Sequence, residues 1–165
     1  MSSKASNQRC VLIIIADGFD EMETITWLTT LRQASLWVKS VGLTSGLISG
    51  AYGIGLMPDL SFAELNPLLE ATAVNLVILP KGKQSLSRLE ADPRVHKLLR
   101  QVVEQRGQII TTSESLSLLK VVLRVNEFGE LDNDQKAAVL LYNPAASLET
   151  FAQNLIRKLL LSSQV

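Results

Sequence analysis

Short unbroken apolar runs alternate along this chain with longer stretches in which apolar positions recur every three or four residues. The first run, "CVLIIIA" at Cys10 to Ala16, is rich in β-branched residues. Such a run predicts a strand buried on both faces. A "DGF" turn follows, and "DEMETITWLTTLRQAS" then predicts a helix with its acidic residues in the first turn, where the macrodipole favours them. "LWVKSVG" predicts a second strand. This alternation is the pattern of a βαβ unit.

The stretch from Gly42 to Pro58 is rich in Gly and Ser and predicts a small hairpin or meander. "SFAE", Ser61 to Glu64, has capping-box spacing before a short helix that Pro67 bends or ends. Val74 to Pro80 predicts another buried strand, with "KGKQS" as the loop beyond it. "DPRVHKLLRQVVEQRG" predicts the clearest helix. Asp92 caps it, Pro93 sits in its first turn, Gly107 stops it, and Val95, Leu98, Leu99, Val102 and Arg106 keep helical spacing. "QIITT" is the next strand, leading through Ser113 into a helix from about Glu114 to Leu123. "NEFGELDND" reads as a connector and Lys136 to Asn143 as the last strand. The closing helix is capped by Ser147, with Leu148, Phe151, Leu155 and Leu159 on its inner face. The sum is an α/β fold: a three-layer sandwich with a mostly parallel central sheet. It forms a single domain over residues 10 to 161, between a polar tail at 1 to 9 and a short C-terminal tail at 162 to 165.

Composition narrows the function classes. Of 165 residues, 47% are apolar and 19% charged, which suits doubly covered strands, an oligomer interface, or both. Sixteen basic residues balance sixteen acidic ones, so no electrostatic footprint for nucleic acid is expected. No apolar run reaches the roughly 18 residues of a spanning helix. The one cysteine, Cys10, forms no intrachain disulfide and fits a reducing cytoplasm. No motif calls for a cofactor. Asp17, Asp20 and Glu21 cluster without a histidine, which fits a solvated helix start better than a metal site.

In open parallel sheets, function gathers at the carboxyl ends of the strands. Here those ends are "ADGFDEMET", "LPKGKQS", "TTSES" and "YNPAAS". Together with "SGAYGIGLMPDLSFAEL", "VILPKG" and the Asp92 helix, they resemble the ThiJ/PfpI family. This family includes protein deglycases linked to Parkinson disease, glyoxalase-type enzymes and intracellular proteases, on a flavodoxin-like, class I glutamine-amidotransferase-like fold. The resemblance places Glu23 at the family's buried carboxylate and Ser113 at its cysteine nucleophile. Pro80, Lys81 and Gly82 fall at its Pro-Gly-Gly, whose amides help form an oxyanion hole. Pro144 falls in a late loop that often reads Ser-Arg-Gly-Pro. It also implies a homodimer, which exposed apolar surface on the first helix would suit.

The departures fall on the chemistry. Ser113 replaces the cysteine, the segment after the elbow helix has no histidine, and Glu114 and Ser115 replace small residues. Lys81 replaces a glycine, and the late arginine is missing. A cysteine is activated at a helix N-terminus by a lowered pKa, whereas a serine needs a positioned base. His96, the only histidine, and Lys81 are the candidate bases.

The leading expectation is therefore a catalytically degenerate, dimeric binding, scaffold or regulatory module. In that reading Ser113 caps the helix from Glu114; Glu23 is either an ordinary helix-start carboxylate or, as the resemblance implies, buried and partly protonated, with Ser113 as its partner in the second case. Glu23, Lys81, Gly82, Ser113, Glu114 and Pro144 line its pocket. One alternative is a divergent deglycase or hydrolase using Ser113 with Lys81 or Glu23. Another is a sensor of a small anionic metabolite held by Lys81 and Ser113. An unidentified protein partner or small-molecule ligand fits the first reading; nucleic acid and membrane insertion fit none.

Overall fold

The computed structural model describes residues 10–124, 130–143 and 145–162. Its centre is a six-stranded sheet. The strands are β1 (Cys10–Ile15), β2 (Trp37–Gly42), β5 (Leu60–Ser61), β6 (Val74–Ile78), β7 (Gln108–Thr111) and β8 (Val139–Leu141), in the order β5-β2-β1-β6-β7-β8. Every pairing in it is parallel. The separate antiparallel pair β3 (Ile48–Ser49) and β4 (Gly55–Leu56) is the hairpin expected from the glycine-rich stretch.

Strand residues alternate between two cores. Val11, Ile13, Ile15, Leu76, Ile78 and Ile110 pack under Trp27, Leu28 and Leu31 of α1 (Glu21–Gln33) and Ala152, Leu155 and Ile156 of α7 (Leu148–Leu161). Leu12, Ile14, Val77, Leu79 and Ile109 face the other way. There they meet Leu86 and Leu89 of α3 (Lys83–Glu90), Val95, Leu98, Leu99 and Val102 of α4 (Pro93–Glu104), and Leu118, Leu119 and Val122 of α5 (Leu116–Val122). Covering both faces explains why all six residues of β1 are buried and apolar.

Local chemistry moves several predicted boundaries. The segment read as the "KGKQS" loop begins α3, a helix hidden in the sequence because its inward position Ser85 is polar; the Ser85 hydroxyl accepts the Ala16 amide at 3.0 Å. The first half of the predicted last strand is instead α6 (Asn133–Ala138). It is nucleated by a capping box in which Asp132 accepts the Gln135 N–H and Gln135 accepts the Asp132 N–H. Pro67 starts α2 (Asn66–Ala71) rather than ending a helix, because a missing N–H costs nothing in a first turn. Arg106, not Gly107, takes the left-handed residue beyond α4, with φ of 60°. The capping box at Ser61 and Glu64 forms as expected.

Candidate functional site

The carboxyl ends of β1, β6 and β7 bring three loops together. After β1 the chain turns through Asp17 to Asp20, and Asp20 caps α1 by accepting the Glu23 N–H at 2.8 Å. The loop after β6 is bound to this turn from both directions. The Asp20 N–H donates to the Lys81 carbonyl at 3.0 Å, and the Lys81 N–H donates to Glu23 Oε1 at 2.9 Å. Lys81 Nζ lies 3.8 Å from Asp20 Oδ2. Gly82 adopts φ of 137°, and a Cβ there would collide with the Gly18 carbonyl, so a glycine is required at this step. The Gly82 N–H donates to Glu114 Oε2 at 3.4 Å. Both backbone amides of the Lys81–Gly82 step therefore rest on the chain's own carboxylates.

Glu23 is 5% exposed. Burial pushes its carboxyl up to about 7 from an ordinary 4.5. The Lys81 amide and ammonium oppose this, while the neighbouring Asp20 and Glu114 charges add to it. The expected hydrogen bond from Ser113 to Glu23 is absent; the Lys81 amide supplies the partner instead.

Beyond β7, the chain makes a 3-10 turn over Ser113–Ser115 before α5. Ser113 does not cap a helix: Thr112 occupies the N-cap position of the turn, and Ser113 is exposed with no hydrogen bond to its side chain among the described residues. The buried serine of this turn is Ser115. Its hydroxyl lies 2.6 Å from Thr111 Oγ1 and 2.9 Å from the Thr112 carbonyl, and Thr111 Oγ1 donates to the Leu79 carbonyl at 3.1 Å. Two hydroxyls thus tie the end of β7 to the end of β6 and to the turn itself. The threonine-to-serine spacing of four in "TTSES" is the only sequence trace of this link, and it is weak.

A nucleophile elbow holds its nucleophile on a strained turn. Among the described residues, Ser35, Arg106 and Arg124 are the non-glycine residues with positive φ, and Ser113 is not one of them. The candidate bases are engaged elsewhere. A His96 ring nitrogen meets the Glu90 carbonyl, and the Lys81 ammonium pairs with Asp20. Cys10 starts β1, at the opposite end of the sheet from Ser113, and burial pushes its thiol up to about 11. Glu23, Lys81, Gly82 and Glu114 are thus joined by hydrogen bonds, and Ser113 borders them. Pro144 lies outside the described residues.

The sequence profile described as the DJ-1/PfpI family matches residues 9–121. The chain belongs to this family. Among curated proteins, none matches it by sequence. Solved structures of DJ-1 proteins share its fold. A DJ-1 superfamily protein from Salmonella typhimurium, solved as a cysteine-to-alanine mutant, is 21% identical with a TM-score of 0.71, over 92% of this chain and 90% of that one. Oxidized DJ-1 from Toxoplasma gondii is 16% identical with a TM-score of 0.74, over 92% and 90%. DJ-1 from Schizosaccharomyces pombe is 15% identical with a TM-score of 0.71, over 90% of each chain. At these identities the likeness concerns the fold.

Proposed function

We propose that this DJ-1/PfpI family member is catalytically silent and acts as a self-associating binding or scaffold module. One observation carries the reading: the amides of Lys81 and Gly82, at the family's oxyanion position, already donate to Glu23 and Glu114. An oxyanion forming near Ser113 would have to displace a carboxylate to reach them. The donor pair is then spent in the ground state rather than reserved for the transition state. Among the described residues no base hydrogen-bonds to the Ser113 hydroxyl, which weighs against the hydrolase reading. Lys81, paired with Asp20, has its charge balanced within the chain, which weighs against the anion-sensor reading.

The self-associating surface is argued from exposed apolar side chains. Met22 is 80% exposed and Tyr52 84%, and Ile25, Leu47, Ile54 and Met57 are also exposed. Met22 and Ile25 lie at the start of α1, Tyr52 and Ile54 in the β3–β4 hairpin beside it, and Leu47 and Met57 immediately flank that hairpin. Patches of this kind mark protein interfaces, and a twofold contact lets one patch meet its own copy. The family resemblance points to the same arrangement.

Sedimentation equilibrium tests the reading. Wild type is expected as a dimer and Ile54→Lys, an exposed substitution, as a folded monomer. A wild type that stays monomeric at micromolar concentration rules the self-association out.

A further inference from the structure

The hairpin that carries much of this surface is fastened in two ways. Its base and its loop are tied to the turn after β1. Gly18 N–H donates to the Ser49 carbonyl at 2.8 Å, Ala51 N–H to the Phe19 carbonyl at 2.8 Å, and Ser49 N–H to Asp17 Oδ1 at 2.9 Å. A side chain adds a further tie at the loop. Glu21, on the first turn of α1 and 5% exposed, turns its Oε1 into the hairpin and accepts the Tyr52 N–H at 2.7 Å and the Ile54 N–H at 3.2 Å. Gly50 leaves the space for that carboxylate, since a Cβ at residue 50 would overlap the Glu21 carboxyl group.

We propose that Glu21 is a positioning residue for self-association, a latch that holds the hairpin tip against α1 so that Tyr52 and Ile54 form one surface with Met22 and Ile25. This rests on the self-association reading above. The chemistry favours a firm latch. Burial pushes the Glu21 carboxyl up, but its own backbone amide and those of Tyr52 and Ile54 outweigh burial and hold it below the ordinary value. The carboxylate is therefore charged at neutral pH, and charge-assisted bonds to two amides are stronger than neutral ones. Met22, the next residue, projects into solvent. The latch and the surface it organises thus share one helical turn. Because the Gly18–Ser49, Ala51–Phe19 and Ser49–Asp17 bonds do not involve Glu21, loss of the latch loosens Tyr52 to Ile54 and leaves the sheet and cores in place.

Two readouts on the full chain test this: amide hydrogen exchange at Tyr52 and Ile54, and the dimer dissociation constant by sedimentation. Glu21→Ala is expected to speed exchange at both amides at least tenfold and to weaken the dimer at least tenfold. Glu21→Gln, which keeps an acceptor oxygen, is expected to restore most of both. Gly50→Ala reaches the same loss from the other side of the contact. Glu21→Asp, one methylene short, carries the test if Glu21→Ala does not fold. Unchanged exchange in Glu21→Ala, or a dimer as tight as wild type once Tyr52 to Ile54 are loosened, overturns the proposal. If wild type is monomeric, the self-association reading and this role in it both fail, and the exchange data then report only whether the contact itself exists.

Discussion

The Lys81 amide donates to Glu23 Oε1 at 2.9 Å, joining the loop after β6 to the first turn of α1. The bond places a carboxylate in a buried position beside two further acidic groups, Asp20 and Glu114. A buried carboxylate in that setting binds a proton more readily than in the unfolded chain.

Glu23 therefore sets a slope in stability against pH. Its pKa is about 7 in the folded protein against an ordinary 4.5. Between those values the folded state holds more protons than the unfolded state, so stability falls as pH rises. The favourable contribution is complete below about 4.5 and lost as pH passes about 7. Glu23→Gln keeps an acceptor for the Lys81 amide and removes the proton. Urea unfolding at pH 5 and pH 8 should show a flatter profile for the variant, with a gain of ~1–3 kcal/mol at pH 8. A wild-type slope retained by Glu23→Gln would show that another group titrates.

The two serines of the elbow turn should behave oppositely. Ser113 is exposed and its side chain makes no hydrogen bond among the described residues, so Ser113→Ala should change stability by less than ~0.5 kcal/mol. Ser115 is fully buried and bridges Thr111 to the Thr112 carbonyl, so Ser115→Ala should cost ~1–2 kcal/mol. Chemical denaturation of both variants checks this. A larger cost at Ser113 than at Ser115 would reverse the assignment.

Much of the fold is legible in the sequence because its central strands are short and largely apolar. Val74 to Ile78 and Cys10 to Ile15 need both faces covered, and only a helix on each side does that. The helices that the pattern hides are α3 and α6. In α3 the inward Ser85 is polar where an apolar residue would advertise an inner face; α6 carries the capping-box spacing of Asp132 and Gln135 but is short and runs directly into β8 with no Gly or Pro between them. In the site, the family resemblance singles out Glu23, Lys81, Gly82 and Ser113 as expectations, and the structure joins the first three through hydrogen bonds. The resemblance does not reveal that Glu114 reaches back to Gly82, because that contact spans 32 residues and depends on how two loops meet. The choice of Ser115 over Ser113 as the buried hydroxyl is equally invisible, since the two differ only in which way a single 3-10 turn points them.

Cys10 should be inert in the native protein. It is fully buried, and its thiol is pushed up to about 11 by that burial, far from the thiolate form that reacts. Iodoacetamide at pH 8 should leave the folded protein unmodified by intact mass and add one adduct once it is unfolded in urea. Rapid labelling without denaturant would mean that the start of β1 opens locally.

The proposed function requires that Ser113 is not a nucleophile. The most direct measurement is exposure of wild type and Ser113→Ala to a serine-directed fluorophosphonate, followed by peptide mass mapping of residues around Ser113. The expected result is no adduct on the Ser113 peptide in either protein. An adduct on wild-type Ser113 that disappears in Ser113→Ala would contradict the account and reinstate a hydrolase built on this turn.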